Sequence, residues 1–134
     1  MATADLNNGT TDQIITGNDN IVIVNVFETI RGGRTLDVTD FPKENIHAGH
    51  VIIREDGTDN YKPMPLDSKG EEYSTLPESH SYAGILIASI PTNRAFAGIM
   101  VRGTVNHKAA PFDMATILGA VKTALPLINF TEDK

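Results

Sequence analysis

Seven consecutive residues, Ile21 to Phe27 (IVIVNVF), carry no charge and are β-branched or aromatic at every position except Asn25. Side chains branched at Cβ lose rotamer freedom in a helix and pack well on a pleated surface, so this run reads as a β-strand. A strand this apolar is either buried on both faces or paired with something, because left open it becomes a template for aggregation. What covers Ile21 to Phe27 is therefore the main constraint on the fold.

The residues before it do not supply that cover. Residues 1–20 are rich in Asn, Thr, Asp and Gly, with the Ile14-Ile15 pair as their one apolar anchor. Such a segment buries too little apolar area to offset the entropy of ordering it, and it reads as a flexible N-terminal arm. Residues 21–134 read as a single β-rich domain, and with 134 residues in the chain about two thirds of its surface can be buried.

Beyond the run, Arg31-Gly32-Gly33-Arg34 predicts a turn and Thr35 to Val38 a half-exposed strand ended by Phe41-Pro42. Gly49 permits a turn into a strand over His50 to Arg54, which Asp56-Gly57 closes with hairpin chemistry. Residues 55–79 are mostly polar and contain Pro63, Pro65 and Pro77, so short strands and a surface loop are expected, too long for a bare connection. Tyr82 to Ile87 (YAGILI) and Phe96 to Val101 (FAGIMV) echo each other, and Pro91 to Arg94 between them predicts an antiparallel hairpin with a four-residue turn. Gly84 and Gly98 mark places where backbone or a bulky side chain approaches closely.

One helix is expected, from Asp113 to Leu125. Met114, Ile117, Leu118, Val121 and Leu125 form one apolar stripe, Asp113 is a suitable N-cap, Lys122 suits the C-terminal dipole and Pro126 stops the helix. Leu127 to Phe130 returns to strand character. The sum is a mainly β (α+β) domain, small and barrel-like, with one helix in its C-terminal half and the arm in front.

Composition narrows the function classes. There is no cysteine, which excludes disulfides, thiolate zinc sites and a thiol nucleophile. The net charge of −6 has the wrong sign for neutralising nucleic-acid phosphates. Asp5, Asp12, Asp19 and Glu28 all precede the first basic side chain, Arg31, a bias that suits a basic partner surface but arises more commonly from solvation alone. The apolar runs are far below the ~20 residues of a membrane-spanning helix, and the polar opening does not look like a secretory signal.

No nucleophile elbow, P-loop or dinucleotide fingerprint occurs. Glu44, His47 and His50 have ligand-like spacing, but a loop running into a strand turns positions three apart to opposite faces. Ser79-His80-Ser81 puts a nucleophile next to its base in sequence, where the two do not face each other along a strand. His107 follows Asn106, a polar neighbour open to a hydrolytic constellation, whereas the Glu71-Glu72 pair and Asp56 with Asp59 read as parts of solvated loops. The chain is expected to be non-enzymatic, with no cofactor, metal or catalytic residue.

Taken in order, Thr35 to Pro42 (TLDVTDFP), His47 to Ile53 (HAGHVII), Tyr82 to Ile90 (YAGILIASI) and Phe96 to Asn106 (FAGIMVRGTVN), with the helix and Leu127 to Phe130 (LINF) at the end, resemble the head decoration and head fiber proteins of tailed phages. The resemblance covers about residues 35–130 and departs over residues 1–34. It implies a homotrimer on the outer surface of an icosahedral virion head, made in the host cytoplasm, that binds the major capsid protein and stabilises the shell. It implies no contact with nucleic acid or membrane, and it leaves the outer side for further fiber proteins or a host surface.

Members of that family add strand pairing to the capsid protein through an N-terminal arm. The counterpart here is Ile14, Ile15, Ile21, Val22, Ile23, Val24, Val26 and Phe27. A second reading makes the polar segment 55–81 an exposed fiber loop that binds a host receptor or glycan.

Overall fold

The computed structural model describes residues 17–132. In chain order its elements are helix α1 (Asp19–Val22) and strands β1 (Ile23–Thr29), β2 (Arg34–Thr35), β3 (Asn45–Ile46), β4 (Val51–Glu55), β5 (Tyr61–Pro63), β6 (His80–Leu86), β7 (Ile90–Pro91), β8 (Phe96–Ala97) and β9 (Ile99–Asn106), followed by helix α2 (Leu118–Ala124) and strand β10 (Ile128–Thr131). The domain is mainly β with its longer helix in the C-terminal half.

The principal sheet has six strands in the order β1-β9-β6-β4-β5, with β10 added on β9. All its pairings are antiparallel except β10 on β9. Two small ribbons, β2 with β8 and β3 with β7, lie outside it. The sheet is open: β1 and β5 end it and do not pair with each other, which corrects the barrel-like expectation. Closing a barrel needs the two edges to meet.

The continuous apolar sequences of the central strands follow from burial on both faces. Val51, Ile53, Ile85 and Met100 point to one face, where they meet Met114, Ile117, Val121 and Leu125. The alternate residues Ile52, Leu86 and Ile99 point to the other, under Leu36, Ile46, Ala95 and Ala97. Successive side chains of a strand alternate sides, so a sheet covered twice needs apolar residues at every position. Each fully buried Ile, Leu or Met contributes about 1.5–3 kcal/mol of transfer free energy.

Several local expectations shift. The helix begins at Leu118, not Asp113, although the stripe of Met114, Ile117, Val121 and Leu125 is buried as expected. The Asp113 carboxylate accepts the N–H of Ala115 at 2.9 Å, a local turn that competes with helix and delays its start. The hairpin of the two echoing segments is also looser than a four-residue turn allows. β6 and β9 pair only at Ile85↔Met100 and Leu86↔Ile99, and the link over residues 87–98 contributes β7, a 3₁₀ turn over Thr92–Arg94, and β8. Gly84 does serve close approach, since a Cβ there would lie 2.5 Å from the Met100 carbonyl oxygen.

The β-branched run starts as helix. Ile21 and Val22 belong to α1, with their N–H groups donating to the Asn18 carbonyl at 3.0 Å, and the strand runs from Ile23 to Thr29. Two contacts override strand propensity here. The Asp19 carboxylate accepts the N–H and the hydroxyl of Ser89 at 2.9 and 2.7 Å. Val22 packs so tightly on Gly49, itself at φ +94°, that a Cβ at Gly49 would overlap its side chain.

Candidate interaction surface

Among the described residues β1 lies at one end of the sheet and pairs with β9 alone. Irregularities at Ile23/Asn25, Val26/Glu28 and Glu28/Thr29 interrupt that pairing. Bulges increase local twist and turn side chains outward. The consequence is an outer strand with large apolar groups in solvent: Val24 is 42%, Val26 44% and Phe27 66% exposed, and Ile21 just before the strand 53%. The Phe27 ring carries the Arg102 guanidinium 5.8 Å from its centroid, a cation–π contact reaching across from β9.

The eight residues grouped by sequence thus separate. Ile21, Val24, Val26 and Phe27 share the exposed edge region. Val22 is a core residue at 2% exposure, and Ile23 is half-buried against the same core, so neither is presented to a partner. Ile14 and Ile15 lie outside the described residues.

None of the four histidines forms a catalytic or metal constellation with its sequence neighbours. His50 is fully buried, donates from Nε2 to the Met64 carbonyl at 2.9 Å, and meets Phe41, Tyr73 and Phe112 edge-on at centroid distances of 5.4, 5.1 and 5.6 Å. Its Nδ1 has no hydrogen-bond partner among the described residues, so protonation would place an unpaired donor in the core. Burial pushes its pKa down to about 4, against a smaller upward effect of the Met64 carbonyl and a further lowering by His47.

His47 is tied elsewhere. With the Ser89 hydroxyl hydrogen committed to Asp19, the Ser89 oxygen accepts from His47 Nδ1 at 3.3 Å and from the Ala48 N–H at 3.0 Å. A serine that gives its proton to a carboxylate is not activated by the imidazole, and the trio acts as a staple between α1 and the segments that carry His47 and Ser89. His80 Nδ1 donates to the Glu78 carbonyl at 2.8 Å, Ser81 donates to Asp56, and His107 Nε2 lies 3.4 Å from Glu132. Among the described residues no group of three or more His, Cys, Asp or Glu side chains is placed to hold a metal ion.

The polar segment 55–81 folds back on the body. It supplies β5 and a bridge from Leu66 to Tyr73, and it buries Met64 and Tyr73. The Tyr73 hydroxyl accepts the N–H of Val51 at 3.2 Å, and burial raises its pKa. At the tip, the Asp67 carboxylate accepts the N–H groups of Glu71 and Glu72, which hold it below the ordinary carboxylate range.

Sequence reading missed one concavity altogether. β10 and β6 lie on the same side of β9, because β1 takes the other side over Met100 to Val105. β6 covers β9 at Ile99 and Met100, and β10 begins at Gly103, so Val101 and Arg102 face neither. The resulting notch of about 440 Å³ is walled by Ile30, Tyr82, Ala83, Val101, Leu125 and Leu127, with Arg54 and Tyr61 at one side. No sequence signal announces it, since it arises where two strands diverge.

The chain matches no family model, no curated protein and no solved structure.

Proposed function

We propose that this protein is a phage head decoration or head fiber subunit that binds the outer surface of an icosahedral head as a homotrimer and stabilises it, acting through strand pairing with the major capsid protein. The observation that carries the proposal is the outer edge of β1, where Val24, Val26 and Phe27 stand in solvent on a strand with one neighbour among the described residues. Such an edge presents a row of main-chain donors and acceptors to any extended segment beside it, and native proteins ordinarily blunt it with charge or cover. Here Asn25, Glu28 and Thr29 are the polar residues of the strand and Glu28 its one charge, so a partner strand is the fitting cover. The resemblance in motif order over residues 35–130 is what favours a capsid protein as that partner.

Purified protein mixed with heads that lack it tests this reading. Wild-type chain should co-sediment with the shells, appear as density at local threefold positions, and raise their resistance to heat. Phe27→Asp and Val26→Asp, both at exposed positions, should fold normally and lose at least about tenfold in binding. Shells that take up neither protein, or both equally, overturn the proposal.

A further inference from the structure

The notch between β6 and β10 has the features of an acceptor for an extended peptide. Along it, Ser81 and Tyr82 of β6 pair with β4 on one side and, among the described residues, with no strand on the other, Ala83 lies at a register shift, and β9 is likewise uncovered by β6 and β10 at Val101 and Arg102. Most of the lining side chains are apolar, with Ser81 and Arg54 among the polar ones, and Leu127 is 62% exposed. At one side stands Arg54, half-buried, whose guanidinium forms no ion pair or hydrogen bond with any described residue. Next to it, the Tyr61 ring carries a second guanidinium, that of Arg34, 5.6 Å from its centroid. A half-buried cation beside an apolar slot selects a segment that brings both an apolar side chain and a carboxylate.

One segment of this chain has that chemistry and lies outside the described residues. Residues 1–16 contain Asp5 and Asp12 with no Lys, Arg or His, and they contain the Ile14-Ile15 pair. In an extended segment, positions two apart share a face, so Asp12 and Ile14 present a carboxylate and a branched apolar group together, about 7 Å apart. The tether disfavours docking in the same subunit. Asp19 is bonded to Ser89, beyond the C-terminal end of β6, whereas the notch opens along the N-terminal end of that strand. Ile14 is only five residues before Asp19.

From these observations we infer that the notch of one subunit receives residues 12–15 of a neighbouring copy, with Ile14 among Tyr82, Val101 and Leu127 and the Asp12 carboxylate on Arg54. The contact is heterologous, segment to notch, and with a threefold rotation between neighbours it closes a ring of three copies. It deepens the trimeric part of the proposed function and is independent of the capsid.

The test uses the full chain in the absence of any shell. Sedimentation velocity across micromolar concentrations should show wild type as a closed oligomer near three times 14.5 kDa. Ile14→Asp spoils the donor segment and Arg54→Glu spoils the acceptor, and each alone should weaken association by about tenfold or more. Because the ring needs both elements in every copy, mixing the two variants should restore a heterodimer and no larger species, since Arg54→Glu still carries a good segment and Ile14→Asp a good notch. Asp12→Arg combined with Arg54→Glu should recover the wild-type oligomer.

Circular dichroism and a cooperative melt show that each variant is folded. A wild-type monomer overturns the inference, as does an oligomer that both single variants leave intact, or folded variants that fail to associate on mixing. Loss of shell binding with the oligomer retained bears on the capsid reading alone.

Discussion

Lowering the pH should destabilise the fold through His50, and the size of the effect follows from the geometry. The imidazole is fully buried among Phe41, Tyr73 and Phe112, donates from Nε2 to Met64, and has no acceptor for a second proton at Nδ1. Its pKa falls from 6.5 to about 4, with burial as the leading cause. The unfolded chain therefore takes up a proton that the native state refuses, and the native state loses ground as pH drops from 6.5 toward about 4. The maximal slope is about 1.4 kcal/mol per pH unit, and the whole interval amounts to about 3 kcal/mol.

Asp37 and Asp67 act in a different window. Hydrogen bonds from Thr39 to Asp37, and from backbone N–H groups, that of Glu71 foremost, to Asp67, hold both carboxylates below their usual 3.8. The stability they contribute is present above that value and is lost only as pH falls below it. Urea unfolding at several pH values between about 7.5 and about 4.5 thus avoids the two carboxylates, and comparison with a His50 variant separates this histidine from the other three. His50→Gln keeps a side-chain amide donor and removes the titration, so it should flatten the slope over this range even if it lowers the stability at neutral pH. A wild-type slope under about 0.3 kcal/mol per pH unit, or an equal slope in the variant, would refute the reasoning.

Two further substitutions probe the packing that sets the surface. Gly84→Ala places a methyl group 2.5 Å from the Met100 carbonyl oxygen and 2.6 Å from Ile99 Cγ2, so β6 and β9 must separate. A loss of about 1–3 kcal/mol is expected in denaturant melts, and an unchanged midpoint would show that the strands do not approach as described. Ser89→Ala removes all three hydroxyl bonds of the α1 staple, the one to Asp19 and those from His47 and the Ala48 N–H. The global stability should drop by about 1 kcal/mol, with faster amide exchange at Ile21 and Val22 than in the sheet centre; unaltered exchange there would separate α1 from Ser89.

Much of the interior can be read from residue order. The runs at Val51 to Ile53, Ile85 to Leu86 and Ile99 to Met100 are apolar without alternation, the pattern of strands covered on both faces, and they form the two cores. The stripe from Met114 to Leu125 marks a segment that lays one side on the sheet, and all four of Met114, Ile117, Val121 and Leu125 are buried. Local chemistry also places the turn after β4 and the strand character of Ile128 to Phe130. These features depend on the periodicity of a single segment, which a sequence displays directly.

Other features depend on which segments become neighbours, and no periodicity encodes that. Ile21 and Val22 have strand-forming side chains, yet a bond from Asp19 to Ser89 and the fit of Val22 on Gly49 wind them into a helical turn. The same apolar run contributes Val22 to the core and leaves Phe27 in solvent, because β1 ends up at the edge of an open sheet. His50 could as well have been a surface histidine until Phe41, Tyr73 and Phe112 closed around it from distant parts of the chain. The notch exists only because β6 and β10 divide one side of β9 between them. Sequence by itself determined the central strands as segments covered on both faces and the stripe that packs on them, since those follow from side-chain spacing. Tertiary structure alone decided which edge stays open and where the strands part, since those are set by pairing between residues far apart in the chain.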